Sequence, residues 1–277
     1  MKSSLSNSVV LITGAASGIG RSLAIQASTR GAHVIVADIN EVGLAETNQL
    51  AGGKLEIHHL DVSDADAILA FAQKIIPTLN GRPLLLVNNA GVALASGPFS
   101  ETTLNDFDWL LSINLFGVIR MTKAFLPYLI QQNNGHIVNV SSVFGLAGIQ
   151  QQSAYCTAKF GVRGFTETLR MELMDTGIGV TTVHPGGIDT NIARAARIGG
   201  SGFVTEAMQK QGAISFKEAA KTTPDEAARQ IWAGVEKRKV RIVIGADGRL
   251  IDRVTRLFPS GYTKMIKKQI EKAFATK

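Results

Sequence analysis

The chain has 277 residues, 45% of them hydrophobic, and a formal net charge of +7. That length suits one α/β domain with a large core, and no linker divides it. No apolar run of the ~18 residues needed to span a bilayer stands out, and the short polar N-terminus does not read as a signal peptide. The charge sits in residues 237–277, where 12 Lys/Arg face 3 Asp/Glu, so residues 1–236 hold −2 and do not form a nucleic-acid-binding body.

Val9 to Ile12 has the continuous apolar pattern of a buried strand. It leads into Thr13-Gly14-Ala15-Ala16-Ser17-Gly18-Ile19-Gly20 and then a helical stretch to about Arg30. Strand, glycine-rich turn and helix in this order are the setting a dinucleotide requires. Gly14 permits the tight turn, Gly18 lets backbone approach a pyrophosphate, and Gly20 allows close helix–strand packing. The helix start around Ser17 and Ile19 offers amide donors and a positive dipole end to phosphate. The next strand, His33 to Ala37, ends at Asp38, placed to accept from adenosine ribose hydroxyls and to repel a 2′-phosphate. Ile39 follows, and no Lys or Arg occupies the glycine turn, which favours NAD over NADP.

A third strand, Leu55 to Leu60, ends in Asp61-Val62, and a helix is expected from about Asp64 to Leu79. The fourth strand, Leu84 to Val87, ends in Asn88-Asn89-Ala90-Gly91. That turn reads equally as a floor under adenosine or as ordinary turn chemistry. A long helical region from about Leu104 to Leu129 contains Asn114, and a fifth strand runs to Ser142. A helix from about Ser153 to Asp175, a strand from Val180 to Val183, a helix after Pro224 and a seventh strand from Val240 to Ile244 follow. Strands separated by helical crossovers predict a single doubly wound α/β domain, residues 1–248, with a mainly seven-stranded parallel sheet. Such sheets bind ligands at the carboxyl ends of their strands, where Gly14, Asp38, Asn88, Ser142 and Pro185 all fall.

Tyr155 and Lys159 stand four apart on their helix and so share a face. A free tyrosine titrates near pH ~10, and a neighbouring cation draws that value toward neutrality, making the phenol a base for an alcohol proton. Ser142, leaving its strand, faces the same pocket. The histidines His33, His58, His59, His136 and His184 lack metal-ligand spacing, and no metal is expected. His184 reads mainly as structural. Cys156, turned about 100° from Tyr155, reads as a packing residue, and Trp109 and Trp232 as core or interface. A single cysteine excludes an internal disulfide and fits a reducing compartment, so the cytoplasm is the expected location.

Thr13-Gly14-x-x-x-Gly18-x-Gly20, Asp61-Val62, Asn88-Asn89-Ala90-Gly91, Asn114, Ser142, Tyr155-x-x-x-Lys159 and Pro185-Gly186 strongly resemble the short-chain dehydrogenase/reductase family over about residues 8–245. The resemblance implies a Rossmann-fold, NAD(P)-dependent oxidoreductase acting on CH–OH groups. It implies that Tyr155 is the acid/base, that Lys159 also binds the nicotinamide ribose, and that Ser142 donates to the substrate oxygen. Asn114 would kink its helix and hold a water linking Lys159 to solvent. The resemblance adds Asp61, Val62, Asn89, Ala90, Gly91, Pro185, Gly186, Ile188 and Thr190 to the cofactor contacts, with the Thr190 hydroxyl helping to hold the nicotinamide carboxamide. It puts substrate contacts at Phe144 and Gly187. The segment from Gly187 to about Thr223 looks irregular and is long enough for a substrate lid. Members pair through their Asn114-type and Tyr155-type helices, so a homodimer or homotetramer is expected.

The tail departs from the family's short ending. Leu250, Ile251, Val254, Leu257 and Phe258 fall at helical spacing with Arg249, Arg253 and Arg256 between them. After Pro259-Ser260-Gly261 comes a second stripe of Tyr262, Met265, Ile266, Ile270 and Phe274, interleaved with Lys264, Lys267, Lys268 and Lys272. Basic amphipathic helices lie on anionic membranes, meet acidic proteins, or dock on their own domain with solvated charges. The expected activity is hydride transfer between NAD and an apolar, steroid-like or lipidic, secondary alcohol or ketone. One alternative is a ketoacyl-type reductase using NADPH and a carrier-bound substrate, against which Asp38 counts. Another is a non-catalytic cofactor-binding regulator, against which the complete set of Asn114, Ser142, Tyr155 and Lys159 counts.

Overall fold

A computed structural model describes residues 5–267. Strands and helices alternate from the start: β1 (Val9–Thr13), α1 (Gly18–Thr29), β2 (His33–Asp38), α2 (Glu41–Leu50), β3 (Glu56–His59), α3 (Ala65–Ile75) and β4 (Leu84–Asn88). Then come β5 (Leu94–Ala95), α4 (Leu104–Leu111), α5 (Val118–Gln132), β6 (Gly135–Val140), α6 (Ser153–Glu172) and β7 (Ile178–Pro185). Next come β8 (Arg197–Ile198), α7 (Glu206–Ala219), α8 (Pro224–Glu236), β9 (Arg241–Ile244) and α9 (Ala246–Leu257). Seven strands form one sheet in the order β3-β2-β1-β4-β6-β7-β9, every pair parallel. The predicted doubly wound sheet is present.

Parallel strands covered on both faces read as unbroken apolar runs, and β1 shows why: Val9 to Ile12 are all fully buried. Val10, Ile12, Val87, Val138 and Val183 face α1 and α8, where Leu23 and Trp232 close the layer. Leu11, Ile35, Leu86, Ile137 and Val180 face the other way, onto Phe71, Phe125 and Leu129. The Trp232 indole donates to the Leu23 carbonyl at 3.3 Å. Truncating an aromatic of this burial costs about 3–5 kcal/mol. Helix starts are set locally: Asp64 accepts from the amides of Asp66 and Ala67, Thr103 from Asp106, and Thr223 from Glu226 ahead of Pro224.

Three stretches differ from the sequence reading. Residues 104–132 form one helical run that is long and apolar enough, by length and composition alone, to cross a membrane. The absence of any such run was therefore misread. Met121, Phe125 and Leu129 insert into the core from this run, and Arg120 and Lys123 lie along it, so it is a core helix of the domain. A π-helical turn, Ser112–Gly117, interrupts it and contains Asn114. Second, the segment expected to be irregular carries β8 and the fourteen-residue α7. Only Ala213 of α7 is buried, so no apolar stripe announced the helix. Its two ends meet in a parallel bridge between Ile188 and Thr222, with Asp189 donating to the Thr222 carbonyl at 3.0 Å. Third, α6 stops at Glu172 and β7 extends from Ile178 to Pro185.

The tail is helical as expected, as α9 and again over residues 262–267. Ile270, Phe274, Lys268 and Lys272 lie outside the described residues. Asp252 of α9 pairs with Arg241 of β9 and with Arg256, so the extension packs on the edge of the sheet.

Candidate active site

The glycine turn between β1 and α1 is built for a close approach. Gly14 has φ +68°, and a Cβ there would stand 2.6 Å from the Ala90 Cα. Gly18 has φ +55° with the Thr190 methyl directly over it. A Cβ on Gly20 would collide with the Gly14 carbonyl oxygen. Ser17 precedes α1 in an extended conformation and makes no side-chain cap. The first-turn amides are therefore not taken by a capping hydroxyl, and a helix start in that state fits an anion such as a pyrophosphate.

Asp38, at the carboxyl end of β2, accepts from the amides of Ala16 and Asn40, both at 3.0 Å. Ile39 beside it is 61% exposed. The sequence reading overlooked Arg21, whose guanidinium donates to the Ala16 carbonyl at 2.5 Å and pairs with Glu46 at 2.7 Å. Its charge is already matched.

The Asn88–Gly91 turn divides its labour. Asn88 is buried and donates to Thr122 and Asn139. The Asn89 side chain donates to the carbonyls of Thr13 and Gly14, and the amides of Asn89 and Ala90 donate to the Thr13 hydroxyl. Asn89 and Ala90 therefore brace the glycine turn. The Asp61 carboxylate is tied to Ser63, and Val62 packs where a Cβ on Gly117 would fall.

Four side chains converge at the carboxyl ends of β4 and β6. Asn114, fully buried in the π turn, donates to the Val92 carbonyl at 2.9 Å and accepts from the Val92 amide at 2.8 Å. Lys159 donates to the Val140 carbonyl at 3.0 Å, and its ammonium lies 5.6 Å from the centre of the Tyr155 ring. The Ser142 hydroxyl is close enough to the Tyr155 phenol to favour its ionised form, and it accepts from the Phe144 amide at 3.1 Å. Phe144 stands edge-on to Tyr155, 5.9 Å between ring centres. Burial pushes the Tyr155 phenol up to about 12, only partly offset by Ser142. Burial likewise pulls Lys159 down to about 8. The expected lowering of the phenol by Lys159 is not found, because desolvation is the largest influence on it.

Two supports, Ser141 and Asp247, had no sequence signal. The Ser141 hydroxyl donates to the Lys159 carbonyl at 2.8 Å. His184, fully buried and pulled down to about 4 by desolvation, donates through Nδ1 to the Ser142 carbonyl at 3.0 Å. Its role is to hold Ser142. Asp247, in the first turn of α9, accepts from the Gly187 amide at 2.7 Å. Pro185 and Gly186 end β7, with the Gly186 amide donating to Ile244; Ile188 is buried. The Tyr262 hydroxyl accepts from the Gly148 amide at 3.1 Å. A hollow of about 510 Å³ opens between that loop, Cys156 and Thr157 of α6, and Thr263 and Ile266 of the tail. Cys156 itself is buried, its thiol near the Ala147 carbonyl. Among the described residues no cluster of His, Cys, Asp and Glu could hold a metal.

Residues 8–199 match the family model described as short chain dehydrogenase. SadH of Mycobacterium tuberculosis, whose name goes no further than oxidoreductase, is 38% identical over 277 residues, covering 98% of both chains. A short-chain dehydrogenase/reductase from Burkholderia phymatum solved with NAD superposes with a TM-score of 0.76 at 29% identity, over 86% of this chain and 89% of that one. A serine dehydrogenase complexed with NADP+ superposes at 0.75 and 27% identity, over 84% and 92%. The fold thus serves either dinucleotide. Sequence along nearly the whole length and architecture agree on one assignment, and the chain belongs to the short-chain dehydrogenase/reductase family, oxidoreductases of CH–OH groups.

Proposed function

We propose that this protein transfers hydride between NAD and a secondary alcohol or ketone of apolar character. The observation that carries this reading is the grouping of Ser142 and Tyr155 with a buried Lys159, whose ammonium lies over the Tyr155 ring. Two hydroxyls on one spot bind one oxygen, the carbinol or carbonyl oxygen of the substrate. Tyr155 takes the hydroxyl proton in oxidation and returns it in reduction. Ser142 donates to the same oxygen as charge develops on it. Lys159 holds the nicotinamide ribose and, with Asn114 behind it, keeps the catalytic end of α6 in register. Bound NAD supplies the hydride acceptor and, when oxidised, a positive charge that favours the phenolate. Gly14, Gly18, Gly20 and the start of α1 would cradle its pyrophosphate, and Thr190 and Ile188 its nicotinamide end.

NAD is favoured because Asp38 already accepts two backbone amides and stays an acceptor for ribose hydroxyls, while the nearby Arg21 is neutralised by Glu46. Apolar substrates are favoured because Phe144, Leu94 and Val92 surround Tyr155. The exposed Phe116, Phe160 and Met171 of the Asn114 and Tyr155 helices suit pairing into a homo-oligomer, and the buried free thiol suits the cytoplasm. Titration with NADH and NADPH by nicotinamide fluorescence, followed by a panel of secondary alcohols with NAD, tests the reading. NADH should bind at least about tenfold tighter, a difference of about 1.4 kcal/mol. Tighter NADPH would move the carrier-linked reductase forward, and binding without turnover of any alcohol would defeat the enzymatic reading.

A further inference from the structure

The inner side of α9 is accounted for: Gly248 meets Val143, Asp252 pairs with Arg241, and Ile251 and Val254 are half-buried. Its outer side is different. At about 100° per residue, Arg256, Arg249, Arg253, Leu257 and Leu250 fall in that order within an arc of roughly 120°. All five are exposed, Leu257 by 73% and Leu250 by 54%. Phe258, just past the end of the helix, is exposed too, as are Lys264 and Met265 of the next helical turn. Arg256 has Asp252 as a partner, whereas Arg249 and Arg253 face no carboxylate among the described residues.

This mixture selects its occupant. A merely solvated helix face turns its leucines inward and its charges outward, but here both share the outer arc. A second copy using the same stripe across a two-fold axis would set arginines against arginines. An anionic bilayer answers both halves of the pattern. Its headgroups take the guanidinium groups, and Leu250 and Leu257 enter the boundary between headgroups and acyl chains. The surplus of Lys and Arg over residues 237–277 acts in the same direction.

We propose that the outer face of α9 is a docking surface for anionic lipid bilayers. Asp247, at the head of this helix, holds the Gly187 amide at the mouth of the cleft. Docking therefore keeps the cleft within about 18 Å of lipid, the length of a twelve-residue helix.

The test is sedimentation of the full-length protein with sucrose-loaded vesicles of phosphatidylcholine, alone or with about 30% phosphatidylserine. The anionic vesicles should carry at least about tenfold more protein, and about 0.5 M salt should release it as the screening length falls to ~4 Å. The double variant Arg249→Glu/Arg253→Glu should lose binding, and Leu250→Ser/Leu257→Ser should weaken it severalfold. Both pairs are exposed and outside the cleft, so an unchanged Tm excludes misfolding as the cause. Equal or absent binding to the two vesicle types overturns the proposal, as does a charge-reversed variant that still binds. Salt-sensitive retention on polyglutamate without vesicle binding would overturn it in favour of an acidic protein partner.

Discussion

Tyr155 and Lys159 each stand away from their ordinary titration range in the direction that burial dictates. Near neutrality the phenol holds its proton, which makes it a ready acid for carbonyl reduction. As a base it needs added positive charge nearby. Oxidation, measured as kcat/KM against pH, should therefore rise toward alkaline pH, and reduction should fall over the same range. Tyr155→Phe should cost at least about a thousandfold in kcat and Ser142→Ala about a hundredfold, the scale of a lost proton donor and a lost oxyanion donor. Asp247 sits outside this chemistry and positions Gly187. Asp247→Ala should raise KM with kcat nearly unchanged, while Asp247→Asn, which keeps an oxygen acceptor, should restore the parent value. The glycines, Asp38 and the Tyr155–Lys159 pair were legible because each needs one residue type at one spacing. Asp247 and Ser141 were not, since each works through a backbone group far away in sequence.

The turn around Asn114 is where one element carries two duties. The run 104–132 is apolar enough to pass for a membrane span, yet the π turn opens its ladder just where Asn114 must grip the Val92 backbone. π turns concentrate at functional sites for this reason. Asn114→Leu leaves the Val92 amide and carbonyl without their partner, at about 1–3 kcal/mol for each buried group. Thermal unfolding should show a Tm several degrees lower, and turnover should fall further than the stability loss explains. At the other face of the crevice, Gly14→Ala meets both a positive φ and the Ala90 backbone; dinucleotide affinity should drop at least about tenfold, read by NADH fluorescence. Strands were readable because burial on two faces makes them continuously apolar. The helix α7 was not, because it buries a single alanine and leaves no stripe.

Across the whole molecule, acid should be the destabilising condition. His136 and His184 are buried and neutral, pulled from 6.5 to about 4 by desolvation. A histidine lowered in the folded state takes up its proton first in the unfolded chain, so stability is complete above about pH 6.5 and is lost as pH falls toward 4. At about pH 5 the loss amounts to about 2 kcal/mol for each. Urea unfolding between neutral and mildly acid pH should show this slope, and His136→Gln should roughly halve it. The parallel, doubly wound sheet followed from the alternation of strands and helices. The return of the tail onto Gly148 through Tyr262 did not, because a single hydroxyl-to-amide contact leaves no pattern in the chain.

The bridge between Ile188 and Thr222 has a wider consequence. A segment that leaves a scaffold and re-enters it at one point is a cassette. Strand β7 and helix α8 keep their seats whatever is threaded between them. A different segment can then be spliced in from a relative, or drift in by inheritance, while the strand and helix beneath go on unaltered.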